Sequence, residues 1–394
     1  MIKHRKIEYK PVSVRELLKE MKNISELMID LAYSATLFHS RNLAEEVLEL
    51  EEQMDTLVYL LNMNMMIAAR DSDDAEALVG ISEVAAATDK ISDAAADAAS
   101  IVLKEIGVHP IIRESFKLSE EKLARLEVES TSRLIDKKLE ELDLAAEMGV
   151  DIIAIRRGKK WVINPRSDEK IHEDDIIFVR GASSGIDKLS KLVKGKEKIS
   201  KKERVEITRE FRRIANKLTT LKNTSELMID LAYSSILFNR QQLAEEVEEL
   251  EDYVDSLHTE YELLVLSTEF QPKEPKYLLG LLRLGVVTEM IADAAQEIAQ
   301  VVLRGLKPHP ILSQVIEEAE ETVTRVQVSD GSPLKGKTLR EAKIPEETGM
   351  WVLVIRRGKR FVRPKPKTVI RSGDFIIASG YAEGEEDLTN LASG

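Results

Sequence analysis

SELMIDLAYS, residues Ser25 to Ser34, returns unbroken at Ser225 to Ser234, and across Lys22–Leu57 and Lys222–Leu257 the identities number 24 of 36. The register of 200 holds far beyond that stretch. His109-Pro110 recurs as His309-Pro310, and Ile155-Arg-Arg-Gly-Lys159 recurs as Ile355-Arg-Arg-Gly-Lys359. A single residue is lost, between Trp161-Val-Ile-Asn-Pro165 and Phe361-Val-Arg-Pro364. The chain is one design written twice, so a residue kept in both copies has survived where its neighbours drifted.

Working outward from the repeat, Ser13 and Glu16 make a capping-box pattern. Leu17, Met21, Ile24, Leu27 or Met28, Leu31 and Phe38 then keep helical spacing. This predicts a first helix from about Val14 to His39. Leu43, Val47, Leu50, Met54, Leu57 and Leu61 step alternately by four and three, the spacing of a bundle seam, and residues 243, 247, 250, 254, 257 and 261 repeat it. A third helix, from about Ala75 to Ile106, is rich in alanine, which favours helix and close approach, and Gly107 and Pro110 end it. Three long helices with short connections make an antiparallel bundle. In the second copy Gln271-Pro-Lys-Glu-Pro275 marks the turn between the second and third helices.

Near Leu126 and Val326 the pattern changes to short apolar runs. Ile152–Ile155 and Val352–Ile355 read as strands, Arg157-Gly158 and Arg357-Gly358 as tight turns, and Trp161–Ile163 and Phe361-Val362 as returning strands. Further strands are expected around Glu127 and Gln327, and at Ile176–Val179 and Phe375–Ala378. A short helix is expected over Leu139–Glu147 and Leu339–Glu346. Lys194–Lys202 is polar and lysine-rich and serves as the central boundary. The expected domains are 10–122 and 202–321, helical, and 123–194 and 322–394, α+β.

Composition removes several classes of function. A net charge of -13 argues against a nucleic-acid partner. The absence of cysteine excludes disulfides, thiolate metal sites and thiol nucleophiles, and points most simply to a cytoplasmic protein. The longest apolar run, Leu57–Ala69, is broken by Asn62 and Asn64 and is not a membrane span. No P-loop, strand-linked GxGxxG, GxSxG or HExxH is present, so no enzyme is expected.

The most pointed chemistry is acidic pairs four residues apart on the second and third helices: Glu51 and Asp55 with Asp89 and Asp93, and Glu251 and Asp255 with Glu289 and Asp293. This spacing sets both carboxylates of a pair on one helix face, at a cost of about 0.2–0.5 kcal/mol per like-charged pair. Two such faces side by side offer oxygen ligands to a hard or borderline cation. A solvated acidic face on an acidic protein is the competing reading. Asp97 and Glu297 extend the ladder, and Glu26 and Asp30, with Glu226 and Asp230, form a further pair that completes the same site or else packs near Tyr33 and Tyr233. His109 and His309 follow a helix end, where imidazole bonds terminal carbonyls. Arg356, Arg357, Lys359 and Arg360, echoed by Arg156, Arg157, Lys159 and Lys160, form basic hairpin tips suited to an anionic ligand or to protecting a sheet edge.

With these motifs in view, the helical halves, through Leu43-Ala-Glu-Glu-Val-Leu-Glu-Leu-Glu51, its copy at Leu243–Glu251 and the acidic pairs, resemble the PhoU family of phosphate-uptake regulators. The α+β halves resemble the C-terminal lobe of potassium-conductance regulators (RCK-C, or TrkA-C). That likeness is clearest in Ser332-Pro-Leu-Lys-Gly-Lys-Thr-Leu339, Gly349, Ile355–Gly358, Pro364 and Gly373-Asp374. The resemblance implies two PhoU-like three-helix bundles alternating with two small RCK-C α+β domains. It implies metal ions, divalent or iron or zinc, on the eight acidic residues named above. It also implies a small anionic ligand such as a cyclic dinucleotide, a homodimer, and peripheral contact with a membrane cation transporter or channel, potassium being the expected cation. A phosphate-uptake regulator is the alternative. Asp136 in place of Gly336, and Glu173-Asp-Asp175 in place of Ser372-Gly-Asp374, depart from the pattern in the first copy. The Rossmann half that usually precedes such a lobe is missing, so neither NAD nor ATP is expected.

Overall fold

The computed structural model describes residues 8–109, 122–142, 144, 148–158, 160–163, 165–181, 183–194, 209–269, 274–305, 321–358, 360–362 and 364–394. In the first half, α1 (Val14–Phe38), α2 (Arg41–Ala68) and α3 (Ser72–Leu103) precede β1 (Lys122–Glu127), α4 (Leu139–Leu142), β2 (Val150–Arg157), β3 (Lys160–Ile163), β4 (Ile176–Gly181) and α5 (Ser183–Lys194). The second half repeats the order with α6 (Arg209–Leu237), α7 (Gln241–Ser267), α8 (Pro275–Leu303), β5 (Glu321–Gln327), α9 (Leu339–Ala342), α10 (Ile344–Thr348), β6 (Met350–Arg357), β7 (Arg360–Val362), β8 (Phe375–Tyr381) and α11 (Gly384–Ser393). The architecture is two helical bundles alternating with two small antiparallel sheet lobes.

Local chemistry sets the helix ends. Ser13 Oγ accepts the Glu16 N–H at 3.1 Å, satisfying one of the orphan donors of the first turn. α1 stops where His39 turns left-handed at φ 53°, and Asn239 at φ 46° occupies the equivalent position after α6. Every seam position of α2 and α7 is buried, from Leu43 to Leu61 and from Leu243 to Tyr261. The turn residues 271–273, the linker 195–202, His309, Lys159 and Lys359 lie outside the described residues.

Each lobe has strand order β1-β4-β2-β3 or β5-β8-β6-β7, all antiparallel. Both faces of the sheet are covered, which explains the nearly continuous apolar runs. Ile155, Ile177 and Val179 turn inward to the lobe's own core, whereas Ala154 and Phe178 join the bundle core. Two features depart from the sequence-based expectation. The helix expected over Leu339–Glu346 breaks at Lys343, left-handed at φ 47°, because Pro345 supplies no N–H and its ring would collide with a preceding carbonyl. A helix also closes each lobe, α5 or α11, burying Ile186, Leu189 and Val193 or Leu388 and Ala392. In the first copy Asp136 and Asp174 adopt φ 64°, the left-handed conformation that Gly336 and Gly373 take in the second, so the lost glycines leave the backbone path unchanged.

The two bundles share one core, built by packing α3 on α8. Its polar contacts obey a pseudo-twofold rule. Thr288 spends its proton on the Leu284 carbonyl at 2.7 Å and therefore accepts from the Tyr33 hydroxyl; Thr88, bonded to the Val84 carbonyl at 2.7 Å, accepts from Tyr233 in the same way. Lys22 pairs with Glu26 and reaches Asp230 at 3.0 Å, while Lys222 pairs with Glu226 and reaches Asp30 at 2.9 Å. Burial opposes the charge of both lysines, yet their carboxylate partners hold each ammonium above its ordinary range. Glu26, Asp30, Glu226 and Asp230 thus belong to the joint between halves. His109 belongs there too: it stacks on Phe211 at 5.7 Å and meets Tyr277 edge-on at 5.4 Å. At the same joint, a Cβ on Gly280 would lie 2.0 Å from the Gly107 carbonyl oxygen.

Lobe and bundle are joined by a second repeated contact. Glu46 on α2 is buried, with one carboxylate oxygen 3.4 Å from Arg125 Nε and 2.8 Å from Arg156 Nη2. Glu246 on α7 lies 2.8 Å from Arg325 Nε and 2.9 Å from Arg356 Nε, and both guanidinia stand over Phe375 at 4.0 and 4.5 Å. Removing one partner of a buried ion pair leaves an uncompensated charge at a cost of about 3–5 kcal/mol. Glu246→Gln is therefore expected to destabilise the protein by about 3–5 kcal/mol, read as a shift of its urea unfolding transition, with Glu46→Gln acting alike.

Candidate metal centre

Among the described residues only one set of three of these carboxylates converges, and it leaves out Glu289 and all four acidic residues of the first bundle. On α2, Glu51 is half-buried and Asp55 exposed; on α3, Asp89 is half-buried and Asp93 exposed; the second bundle repeats this with Glu251, Asp255, Glu289 and Asp293. Among the described residues, Glu251, Asp255 and Asp293 bring one carboxylate oxygen each within 4.8 Å of one another. Cation–oxygen bonds of about 2.1–2.6 Å allow ligand atoms up to about 5 Å apart. The donors are all carboxylate oxygens, and no described cationic side chain forms a salt bridge with Glu51, Asp55, Asp89 or Asp93, so the residues present fit a hard or borderline divalent ion.

The electrostatics report the same crowding. Burial raises the Glu51 carboxyl to about 7, followed by the charges of Asp93, Asp55, Asp97 and Asp89. Asp89 and Asp93 are raised by burial and then by their neighbours, and so are Glu251 and Asp293. At the outer end the copies differ. Glu297 is held by Lys90 of the other bundle at 2.6 Å, whereas Met290 stands at the position equivalent to Lys90.

The basic hairpin residues sit elsewhere and are engaged internally. Arg356 binds Glu246 and, at 2.8 Å, Glu249. Arg357 makes a two-pronged contact with buried Asp374 at 2.7 Å and donates to the Val369 carbonyl at 2.8 Å. Arg156 and Arg157 repeat these roles with Glu46, Glu49 and Asp175. Arg360 is exposed on β7. Sequence reasoning missed Glu46 and Glu246 as the partners of Arg156 and Arg356. Their signal was present, as glutamates kept in both copies at a buried helix position.

Family comparison matches this architecture piece by piece. The PhoU domain matches residues 18–102 and 218–302, and the TrkA-C domain matches 123–194 and 323–393. Each half is a PhoU domain followed by a TrkA-C domain. The Ktr system potassium uptake protein C of Bacillus subtilis is 37% identical over 82 residues, 21% of this chain and 37% of that protein. The probable potassium channel protein 2 of Methanocaldococcus jannaschii is 36% identical over 78 residues, 19% of this chain and 23% of that protein. The chain thus spans well under two thirds of either relative. Among solved structures, PhoU from Pseudomonas aeruginosa aligns with 74% of this chain and 96% of its own at 15% identity, with a TM-score of 0.42. No described helix is long and apolar enough to cross a membrane.

Because the folded carboxyl of Glu51 lies above its ordinary value of 4.5, the folded metal-free protein binds a proton more tightly than the unfolded chain between 4.5 and about 7. That contribution to stability is complete below 4.5 and is lost as pH rises through about 7. Across this window the thermal midpoint of wild type is expected to fall more steeply than that of Glu51→Gln. A saturating divalent cation at neutral pH should raise the wild-type midpoint more than the variant's.

Proposed function

We propose that this chain is a cytoplasmic, non-enzymatic regulator of cation transport, potassium being the cation, which acts by peripheral contact with a membrane transporter or channel. The observation that supports it is the pair of TrkA-C domains, together with relatives named as a potassium uptake protein and potassium channels. In this reading the lobes sense a small anionic ligand and pair in a homodimer, and the PhoU bundles hold metal ions on Glu51, Asp55, Asp89 and Asp93 and on Glu251, Asp255, Glu289 and Asp293. Arg360, exposed on β7, is the described hairpin residue left to meet such a ligand, since Arg356 and Arg357 already hold carboxylates.

One rigid element links the two activities. α2 presents Glu46 and Glu49 to the lobe and, a turn further on, Glu51 and Asp55 to the acidic face. α7 does the same with Glu246, Glu249, Glu251 and Asp255. Cation occupancy therefore acts on the helix that fixes the lobe.

The PhoU match over both bundles favours a second reading, a phosphate-uptake regulator. Affinity purification of the tagged full chain from membranes separates the two. A potassium channel or carrier is the expected partner; a phosphate permease, recovered in its place, would transfer the assignment to the second reading. Metal analysis of chelator-free protein is expected to show bound divalent or iron ions that Asp89→Asn/Asp93→Asn loses from the first bundle.

A further inference from the structure

One charge cluster at the joint between the halves is balanced, and its copy is not. Around Lys222, two carboxylates, Glu226 and Asp30, face two cations, because Arg180 of the first lobe reaches Asp30 Oδ2 at 3.5 Å. Around Lys22 the carboxylates are Glu26 and Asp230, and among the described residues no second cation forms a salt bridge with either. Exposure follows the charge: the Asp30 side chain is 16% exposed and that of Asp230 is 43% exposed. The Glu26 carboxyl is raised by burial and then by the charge of Asp230, with Lys22 opposing. Burial raises Glu226 as well, but there Lys222 and Arg180 both oppose.

The second lobe lost this cation together with its cross-strand partner. Arg180 stands opposite Asp151 in the β2–β4 pairing; at the same register of β6 and β8, Trp351 stands opposite Ser379. Directly paired residues share a sheet face, and so do residues two apart on a strand, which puts Trp351, Ser379 and Tyr381 on one face. Ile377 and Val323 lie on that face too and are buried in the bundle core, so it is the face turned to the bundle. Beyond the bundle's cover, Trp351 and Tyr381 are 53% and 54% exposed. The buried glutamate latch docks both lobes alike, with Glu46 on Arg125 and Arg156 and Glu246 on Arg325 and Arg356. Ser379 therefore takes the place of Arg180, on the side of Asp230. Where the first half seats its own guanidinium, the second offers a half-exposed carboxylate and two exposed aromatic rings.

We propose that Asp230, Trp351 and Tyr381 form a docking site for an arginine-bearing segment of a partner protein, whose guanidinium takes the place that Arg180 fills in the first half. A guanidinium pairs with a carboxylate and stacks on aromatic faces at the same time. With both rings more than half exposed, the site is a surface and not a cavity, which suits a chain segment. The net charge of -13 favours encounter with a basic partner. The inference goes beyond the regulator reading and stands without it, and it involves no metal.

The test uses the full chain with tryptophan labelled by 15N and the peptide Gly-Arg-Gly-Arg-Gly, beside a version with citrulline in place of arginine. The chain has two tryptophans, and Trp161, packed on Phe178, serves as the internal control for Trp351. The arginine peptide is expected to shift the Trp351 indole resonance and leave that of Trp161 in place. Citrulline keeps the shape without the charge and should bind at least about tenfold more weakly. Ser379→Arg supplies the cation from within, as the first half does, and should abolish the shift while Trp351 remains to report it. Asp151→Trp/Arg180→Ser should create a second site with its own shifting resonance, both variants keeping the wild-type far-ultraviolet circular dichroism. No shift in wild type, an equal shift with citrulline, or a shift that survives Ser379→Arg overturns the proposal. A wild-type dimer in sedimentation that both Ser379→Arg and the arginine peptide split would make the occupant a second copy of this chain and overturn the assignment to a partner protein.

Discussion

Everything in this molecule depends on the packing of α3 against α8. These are the third helices of the two bundles, and small residues along both, Ala94, Ala95, Ala98 and Ala99 on α3 and Ala292, Ala294, Ala295 and Ala299 on α8, lie in one continuous core. A hydrophobic joint alone does not fix a register. Here the register is set by polar groups that must be satisfied once water has left: Tyr33 on Thr288, Tyr233 on Thr88, and two half-buried lysines, each shared between its own glutamate and the other half's aspartate. A slip along the joint would strand two hydroxyls and two ammonium groups, each costly to leave unpaired in a low-dielectric interior.

From that joint the remaining architecture follows by repetition. Each bundle extends its second helix to the lobe of its own half, where one buried glutamate meets two arginines from the strands that flank β4 or β8. The same helices carry the acidic faces, so the latch to the lobe and the candidate metal centre lie about 7–14 Å apart along one helix. Carboxyl groups on those faces are raised by burial first and by neighbouring like charges second, and protonation relieves both.

Much of the candidate site was legible because helical periodicity converts spacing into position. Glu51 and Asp55, four apart and one step off the seam, had to share the bundle's edge, and the adjacent helix brought Asp89 and Asp93 to the same edge. The arginines show the converse. Arg156 and Arg356 sit beside a turn glycine, where a basic tip is ordinarily solvated, and only the fold of the sheet onto the bundle delivers Glu46 and Glu246, about 110 residues away in sequence, to their guanidinia. Asp136 and Asp174 depart from the glycine pattern in the first lobe, yet aspartate reaches the left-handed conformation that glycine holds in the second. The terminal helices of the lobes were hidden because two or three buried residues make too short a period to stand out from a loop.

The sequence by itself determined the tandem repeat, the long bundle helices, the strand pairs and the helices on which the acidic residues sit. All of these follow from local periodicity and turn chemistry, which act over a few residues. Tertiary structure decided the pairings that join distant segments: which helices fuse the halves, which glutamate holds which arginine, and where His258 points. Those outcomes depend on desolvation and close packing between surfaces far apart in the chain, and no local pattern records them. Gly285 illustrates the division, since its letter marks only a helix residue of weak propensity until Tyr261 and His258 are seen to fill the space it leaves.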